Sequence, residues 1–186
     1  RNLIANVLQS EAWNNPVMKQ IPAGEQSTGV CALPLYHIFA FTVNLLAFYW
    51  LGGRNILIAN PRDAKRVEWV LRKERFAAFT GLNTLFAGLL KNDAFRDRDF
   101  SDLRLTVAGG MATQASVAEA WRSVTGAPLI EGYGLTETSP VVCIGYVDIE
   151  RPETMGFDGT VGLPVPSTEV RMRRDDGSWC GVDEPG

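Results

Sequence analysis

Between Thr28 and Glu131 the chain alternates short apolar runs with longer amphipathic ones, and the two periods mark different elements. Gly29–Leu33, Asn55–Ala59, Phe76–Thr80, Leu105–Ala108 and Leu129–Glu131 are too short for helices and read as strands. The intervals predict helices over roughly Phe39–Leu51, Asp63–Arg75, Asn83–Lys91 and Gln114–Thr125. Val67, Val70 and Leu71 line one face of the second. Gly52-Gly53 closes the first and Gly126 the last. A further amphipathic helix is expected at Arg1–Ser10, where Leu3, Ile4, Val7 and Leu8 recur at helical spacing. Pro16 and the Pro22-Ala23-Gly24 cluster mark the loop that follows.

Five strands joined by four helix-length crossovers predict an α/β fold, a largely parallel sheet with helices on both faces. After Gly156 the texture changes. Ser167–Arg174, a turn at Asp175-Asp176-Gly177, and Ser178–Cys180 predict a β-hairpin. The expected division is an α/β part over residues 1–155 and the start of a small β-rich subdomain over 156–186. In an open sheet of this kind, ligands bind beyond the C-terminal ends of the strands. His37, Thr80-Gly81, Gly109-Gly110 and Gly132–Glu137 all follow strand ends, so the residues with useful chemistry converge on one edge.

Composition narrows the classes. With 186 residues, 46% of them hydrophobic, the chain can bury one substantial core. A net charge of −3 without a basic stripe argues against nucleic acid as a partner. The run Lys65-Arg66, Arg72-Lys73 and Arg75 alternates with apolar positions and reads as the solvated face of a helix. Cys31, Cys143 and Cys180 lie far apart and His37 is the single histidine. That excludes a Cys/His zinc site and fits free thiols in a reducing compartment. The uncharged run Ile38–Leu51 spans 14 residues and contains Thr42 and Asn44, short for a membrane span. Phe39, Phe41, Phe48, Tyr49 and Trp50 read as core rather than as a lipid-binding wall.

Candidate chemistry concentrates in Ile130–Pro140, IEGYGLTETSP. Tyr133 between Gly132 and Gly134 offers a flat face for a base, or else packs in the core. Its flanking glycines allow close backbone approach and positive φ. Thr136 can donate to a phosphate, and Glu137 is either a hard oxygen ligand for Mg²⁺ or a surface carboxylate. Gly132-x-Gly134 is not the dinucleotide fingerprint, because Glu137 stands where the third glycine belongs. Gly109-Gly110-Met111 is either a plain strand-to-helix turn or a bare-backbone passage whose following helix offers free N–H groups to an anion. His37 is either a helix cap or a donor to oxygens that gain charge. Asn83-Thr84 reads as a helix cap.

The stretch Tyr133–Glu137, YGLTE, resembles the central motif of the adenylate-forming (ANL) enzymes. LPLYHIF at Leu33–Phe39 and AGGM at Ala108–Met111 match that family in order. The segments PLYHIFAFTVNLL, ANPRD, FTGLNTLF and GLPVPSTEV are most similar to bacterial long-chain fatty-acid–CoA ligases, and the likeness covers almost the whole chain. The resemblance implies activation of a fatty acid by ATP, with Mg²⁺, to an acyl-adenylate. Transfer to CoA as co-substrate would follow. It implies catalytic roles for His37, Thr136 and Glu137, the last holding Mg²⁺. Gly109, Gly110, Met111, Glu131, Gly132, Tyr133, Gly134, Leu135 and Thr136 would surround the nucleotide. His37, Phe39, Gly81, Leu82, Gly109 and Leu135 would border the acyl chain.

A cytoplasmic enzyme follows from the same likeness, compatible with peripheral contact at the inner face of the membrane and with oligomerisation. Two alternatives stay open. One is an adenylation domain for another carboxylic acid, with a carrier-protein acceptor or an oxidative second step. The other is a nucleotide-binding module without catalysis. The family's phosphate loop would lie upstream of this internal piece of the N-terminal domain. Its ribose-binding Asp, hinge and catalytic Lys would lie downstream. The purified chain is therefore predicted not to turn over, and acyl-CoA formed from fatty acid, ATP and CoA in a thioester assay would contradict that.

Overall fold

The computed structural model describes residues 1–18, 20–22 and 25–186; within the expected Pro22-Ala23-Gly24 loop, Ala23 and Gly24 lie outside the described residues. Strands β1 (Thr28–Cys31), β2 (Arg54–Leu57), β3 (Ala78–Gly81), β4 (Leu105–Gly109) and β5 (Leu129–Gly134) pair in parallel. Two antiparallel strands that the sequence reading lacked, β6 (Val141–Ile144) and β7 (Leu163–Pro164), complete a sheet ordered β2-β1-β3-β4-β5-β6-β7. Only six residues separate β5 from β6, too few for a crossover, so the chain must return antiparallel. The sheet thus continues past residue 155, and Val165 just behind β7 is buried. In the C-terminal hairpin a single bridge pairs Arg173 with Trp179 around Gly177 at φ +87°.

Six α-helices frame the sheet among the described residues: α1 (Asn2–Met18), α2 (Phe48–Trp50), α3 (Ala64–Leu71), α4 (Asn83–Leu89), α5 (Asp93–Arg96) and α6 (Ala115–Thr125). A π-helix over Ala40–Ala47 leads into α2. The Asp63 side chain caps α3 by accepting from the Arg66 N–H at 3.0 Å, and α6 ends at Gly126 in the left-handed region. Side chains of α3, α4 and α6 pack on one face of the sheet. Phe79, Phe86, Phe95 and Trp121 meet there with ring centroids 4.7–5.8 Å apart, mostly edge to face. The buried indole N–H of Trp121 donates to Thr106 Oγ1 at 2.9 Å, so this aromatic core leaves its one polar edge satisfied.

The other face is covered by α1 and the π-helix, and it departs more from the sequence expectation. Helix α1 continues through Pro16 instead of stopping at Ser10. Its anchors are long-range and polar, which is why apolar spacing did not reveal its length. Asn6 Nδ2 donates to the Val141 carbonyl at 2.8 Å and Asn6 Oδ1 accepts from the Val141 N–H at 3.1 Å. The Trp13 indole donates to the Gly145 carbonyl at 3.0 Å. In the π-helix, buried Asn44 gives its backbone carbonyl to Asn55 Nδ2 and its Oδ1 to the Thr80 hydroxyl. Capture of the carbonyl from outside accompanies the widened turn.

Phe48 is core, but Tyr49 and Trp50, expected to be buried, are 84% and 60% exposed because α2 turns its last residues away from the sheet. The Trp50 indole bonds Glu11 instead. The cysteines are free among the described residues; burial pushes the Cys31 and Cys143 thiols up, away from thiolate reactivity. No described helix is long and apolar enough to cross a membrane.

Replacing Trp121 by Ala removes the shared ring of the aromatic core and orphans Thr106, and is predicted to cost about 3–5 kcal/mol. Urea unfolding measures this, and a loss below about 1 kcal/mol contradicts the packing described.

Candidate functional site

Beyond the C-terminal ends of β4 and β5 the loops enclose a cavity of about 280 Å³. Nine of the residues singled out from sequence line it: His37, Phe39, Gly110, Gly132, Tyr133, Gly134, Leu135, Thr136 and Glu137. Gly109, Met111, Glu131, Gly81 and Leu82 do not.

The loop after β5 owes its shape to a close chain approach. A Cβ on Gly134 would lie 1.9 Å from the Pro140 carbonyl oxygen, so no other residue fits there. The Leu135 N–H donates to that carbonyl at 3.1 Å and to Thr138 Oγ1 at 2.9 Å. Thr138 also bonds Pro140, making its hydroxyl a knot within the loop rather than a ligand group. Thr42 of the π-helix donates to the Ser139 carbonyl at 3.3 Å, tying the loop to the opposite wall. Ser139 takes a left-handed conformation before a cis peptide to Pro140. The result is a short 3₁₀ turn, Thr136–Thr138, that carries the exposed Thr136 and Glu137 at the cavity wall.

Tyr133 is 45% exposed and lines the cavity, so it is not a core aromatic. Gly132 and Gly134 are extended strand residues, and the positive φ expected of them falls instead at Gly110, at +77°. His37 sits in the loop entering the π-helix. Its Nδ1 accepts from the Phe39 N–H at 3.3 Å, which leaves Nε2 as the nitrogen free to donate into the cavity. Capping and donating are thus compatible for one ring.

The residues left out of the lining have identifiable positions. Gly109 is buried under the Phe39 ring, and Gly81 against Leu85 and Phe86. The Leu82 side chain lies beside Gly110. Met111 is 42% exposed beyond the rim. Glu131 accepts from the Thr113 N–H at 3.1 Å, and Asn83 Oδ1, expected to cap its own helix, accepts from the Gln114 N–H at 3.0 Å. These two donors ahead of α6 are therefore engaged inside the protein and do not face an anion. The carboxylate and the amide hold the Thr113-Gln114 backbone that enters α6, a positioning role.

A smaller cleft of about 50 Å³ that sequence reading missed adjoins the cavity. It shares Ser10, Asn14, Val43 and Val107 with it and continues between α1 and the π-helix to Met18, Phe48 and Leu51. Beyond the shared residues its walls are mostly apolar. No sequence signal marked Ser10 and Asn14, because their place depends on how α1 lies over the sheet.

Glu137 makes no hydrogen bond or ion pair with the described residues, and no cluster of three His, Cys, Asp or Glu side chains among them can cage a metal. A lone exposed carboxylate beside a hydroxyl suits Mg²⁺, which keeps waters and takes substrate phosphate oxygens as further ligands. The donor set fits that ion and no structural one.

A mostly parallel sheet, with the YGLTE turn at the wall of a cavity beyond its strand ends, defines an α/β protein with its candidate site at one sheet edge. The family model for AMP-binding enzymes matches residues 1–186, and the chain belongs to that family. It is 48% identical over its whole length to a long-chain-fatty-acid–CoA ligase of Yersinia pestis, spanning 32% of that protein, about a third of the relative's length. Among solved structures, a long-chain-fatty-acid–CoA ligase of Archaeoglobus fulgidus superposes with a TM-score of 0.78 at 18% identity, covering 98% of this chain and 36% of that one. An anthranilate–CoA ligase in complex with anthranoyl-AMP gives 0.75 at 25% identity over 92% of this chain and 33% of that one.

Gly134→Ala is predicted to lose about 2 kcal/mol or more and to free the Thr136–Thr138 turn. Thermal unfolding with amide exchange at Leu135 and Thr138 tests both; unchanged protection would contradict the close approach.

Proposed function

We propose that the parent protein activates a long-chain fatty acid with ATP to an acyl-adenylate and then passes the acyl group to CoA. One observation carries this reading: the cavity at the strand ends that His37, Thr136 and Glu137 line adjoins a smaller apolar cleft of about 50 Å³ with four lining residues in common, an arrangement suited to a ligand with a charged head and a hydrocarbon tail. The 48% identity to a fatty-acid–CoA ligase supports it, as does the anthranoyl-AMP held by a ligase of the same fold.

A carboxylate cannot release oxide to a thiol, so the acid must first become a mixed anhydride. A carboxylate oxygen attacks the α-phosphorus of ATP, and the bond to pyrophosphate breaks. In the second step the CoA thiol, losing its proton, attacks the acyl carbon and AMP leaves. Catalysis of phosphoryl-centre attack is largely positioning and charge stabilisation. His37 donates from Nε2 to oxygens of the carboxylate and α-phosphate. The Thr136 hydroxyl donates to phosphate, and Tyr133 stacks on adenine. Glu137 would hold Mg²⁺, which neutralises the triphosphate and the leaving pyrophosphate. In this reading the protein works in the cytoplasm, and the hairpin near Gly177 begins a β-rich subdomain.

Non-hydrolysable acyl-adenylate analogues of increasing chain length are predicted to raise the thermal midpoint of this chain progressively, by linkage to the folded state. Each added methylene buried contributes up to about 0.8 kcal/mol until the cleft is full. Tyr133→Ala should abolish most of the shift. Equal stabilisation by AMP and by every acyl length would refute the lipid reading and leave a nucleotide-binding module.

A further inference from the structure

Helix α3 carries a charge imbalance that the chain as a whole does not share. Lys65, Arg66, Trp69 and Arg72 recur at three- and four-residue spacing and are all exposed, as are Arg62 and Lys73 at either end. The opposite side of the helix holds Val67 and Leu71, both fully buried. None of the five cationic side chains makes an ion pair or a hydrogen bond among the described residues, whereas Arg54, Arg75, Arg96, Arg151, Arg171 and Arg174 are each paired with a carboxylate. The two acids of the segment do other work. Asp63 caps the helix, and half-buried Glu68 favours the charged form of the Arg98 guanidinium, which stacks on Phe76 and Phe100. Five cations against two carboxylates between Arg62 and Lys73 leave a surplus of three, in a chain whose net charge is −3.

Trp69 stands in the middle of these charges. The Arg66 guanidinium lies 4.6 Å from its ring centroid and that of Arg72 5.7 Å. The ring is 48% exposed, and on α3 to α6 it is the one exposed large hydrophobic side chain among the described residues. Stacking engages the flat face of a guanidinium and leaves its N–H edge free to donate. The face thus combines an amphipathic ring of the kind that settles between headgroups and acyl chains with cations on long stems that reach phosphate. A convex helix face has no groove for an extended peptide, but it can lie along a flat anionic surface. Each cation brought to such a surface adds to the attraction, and salt screens it.

We propose that the Lys65, Arg66, Trp69 and Arg72 face of α3, extended by Arg62 and Lys73, is a docking surface for an anionic lipid bilayer. Trp69 sits among the headgroups and the cations sit on their phosphates. None of these residues lines the cavity or the adjoining cleft, so the inference does not depend on the acyl-adenylate reading.

The test is co-sedimentation of this chain with vesicles of phosphatidylcholine alone and of phosphatidylcholine mixed with phosphatidylglycerol. Binding is expected only with the anionic lipid present, and it should fall as salt is raised. Replacing Lys65, Arg66 and Arg72 together by Gln should weaken the partition coefficient about a hundredfold. Replacing Arg171, Arg173 and Arg174 by Gln removes as much charge from the C-terminal hairpin and should leave it unchanged. Vesicles should shift the indole emission to the blue in the parent sequence and not in Trp69→Phe. The altered side chains are exposed, so thermal midpoints close to that of the parent sequence are expected and would exclude misfolding. Equal losses in the two triple variants would show attraction without a site and overturn the proposal, as would the absence of binding to anionic vesicles. Binding to polyglutamate but not to vesicles would overturn it in favour of an acidic protein partner. Acyl-adenylate analogues should bind all these proteins alike, so failure of the docking surface leaves the proposed reaction standing.

Discussion

The contact between Gly134 and the Pro140 carbonyl governs the working edge of this molecule. Because Gly134 has no side chain to overlap that oxygen, the chain can fold back on itself within six residues of leaving β5. The reversal converts a parallel sheet into one with an antiparallel margin, and it presents β6 to α1. Asn6 then closes both hydrogen bonds on Val141, fixing the helix that walls the cavity. Thr136 and Glu137 are held on a turn whose backbone groups are answered by Thr138 and Pro140, so their own side chains stay free for a ligand.

The two faces of the sheet do different work. One is closed by interlocked aromatic rings, with the indole of Trp121 answered by Thr106. Such packing is dense and tolerates little change. The other face carries buried polar side chains, among them Asn44, Thr42 and Ser10, and a cleft between its two covering helices. There the Thr80 hydroxyl of β3 donates to Asn44 Oδ1, which ties the π-helix to the sheet. One face is thus closely filled, while the other leaves a small cleft beside the cavity.

Local chemistry made much of this legible in the sequence. Short apolar runs located all five parallel strands to within a few residues, most plainly β1, β3 and β4, which are buried along their whole length. Gly126 marked a helix end through a capping preference that acts over one turn. The convergence of His37, Gly110 and Tyr133–Glu137 on one edge followed from the rule that parallel strands place their C-terminal loops together.

Tertiary structure decided the rest. The length of α1 depends on Asn6 and Trp13 reaching partners more than a hundred residues away. The return of β6 depends on one backbone contact, and the exposure of Tyr49 and Trp50 on where α2 ends. Glu131 of β5 and Asn83 of α4 proved to be braces for Thr113 and Gln114 at the entry to α6, because the sheet brings three segments distant in sequence together there. The cleft lined by Ser10 and Asn14 exists only where α1 and the π-helix lie side by side over the sheet. Residue types and spacing determine which elements form, since those forces are local. Which polar groups meet, and which are left without a partner, is fixed only when distant segments are brought together.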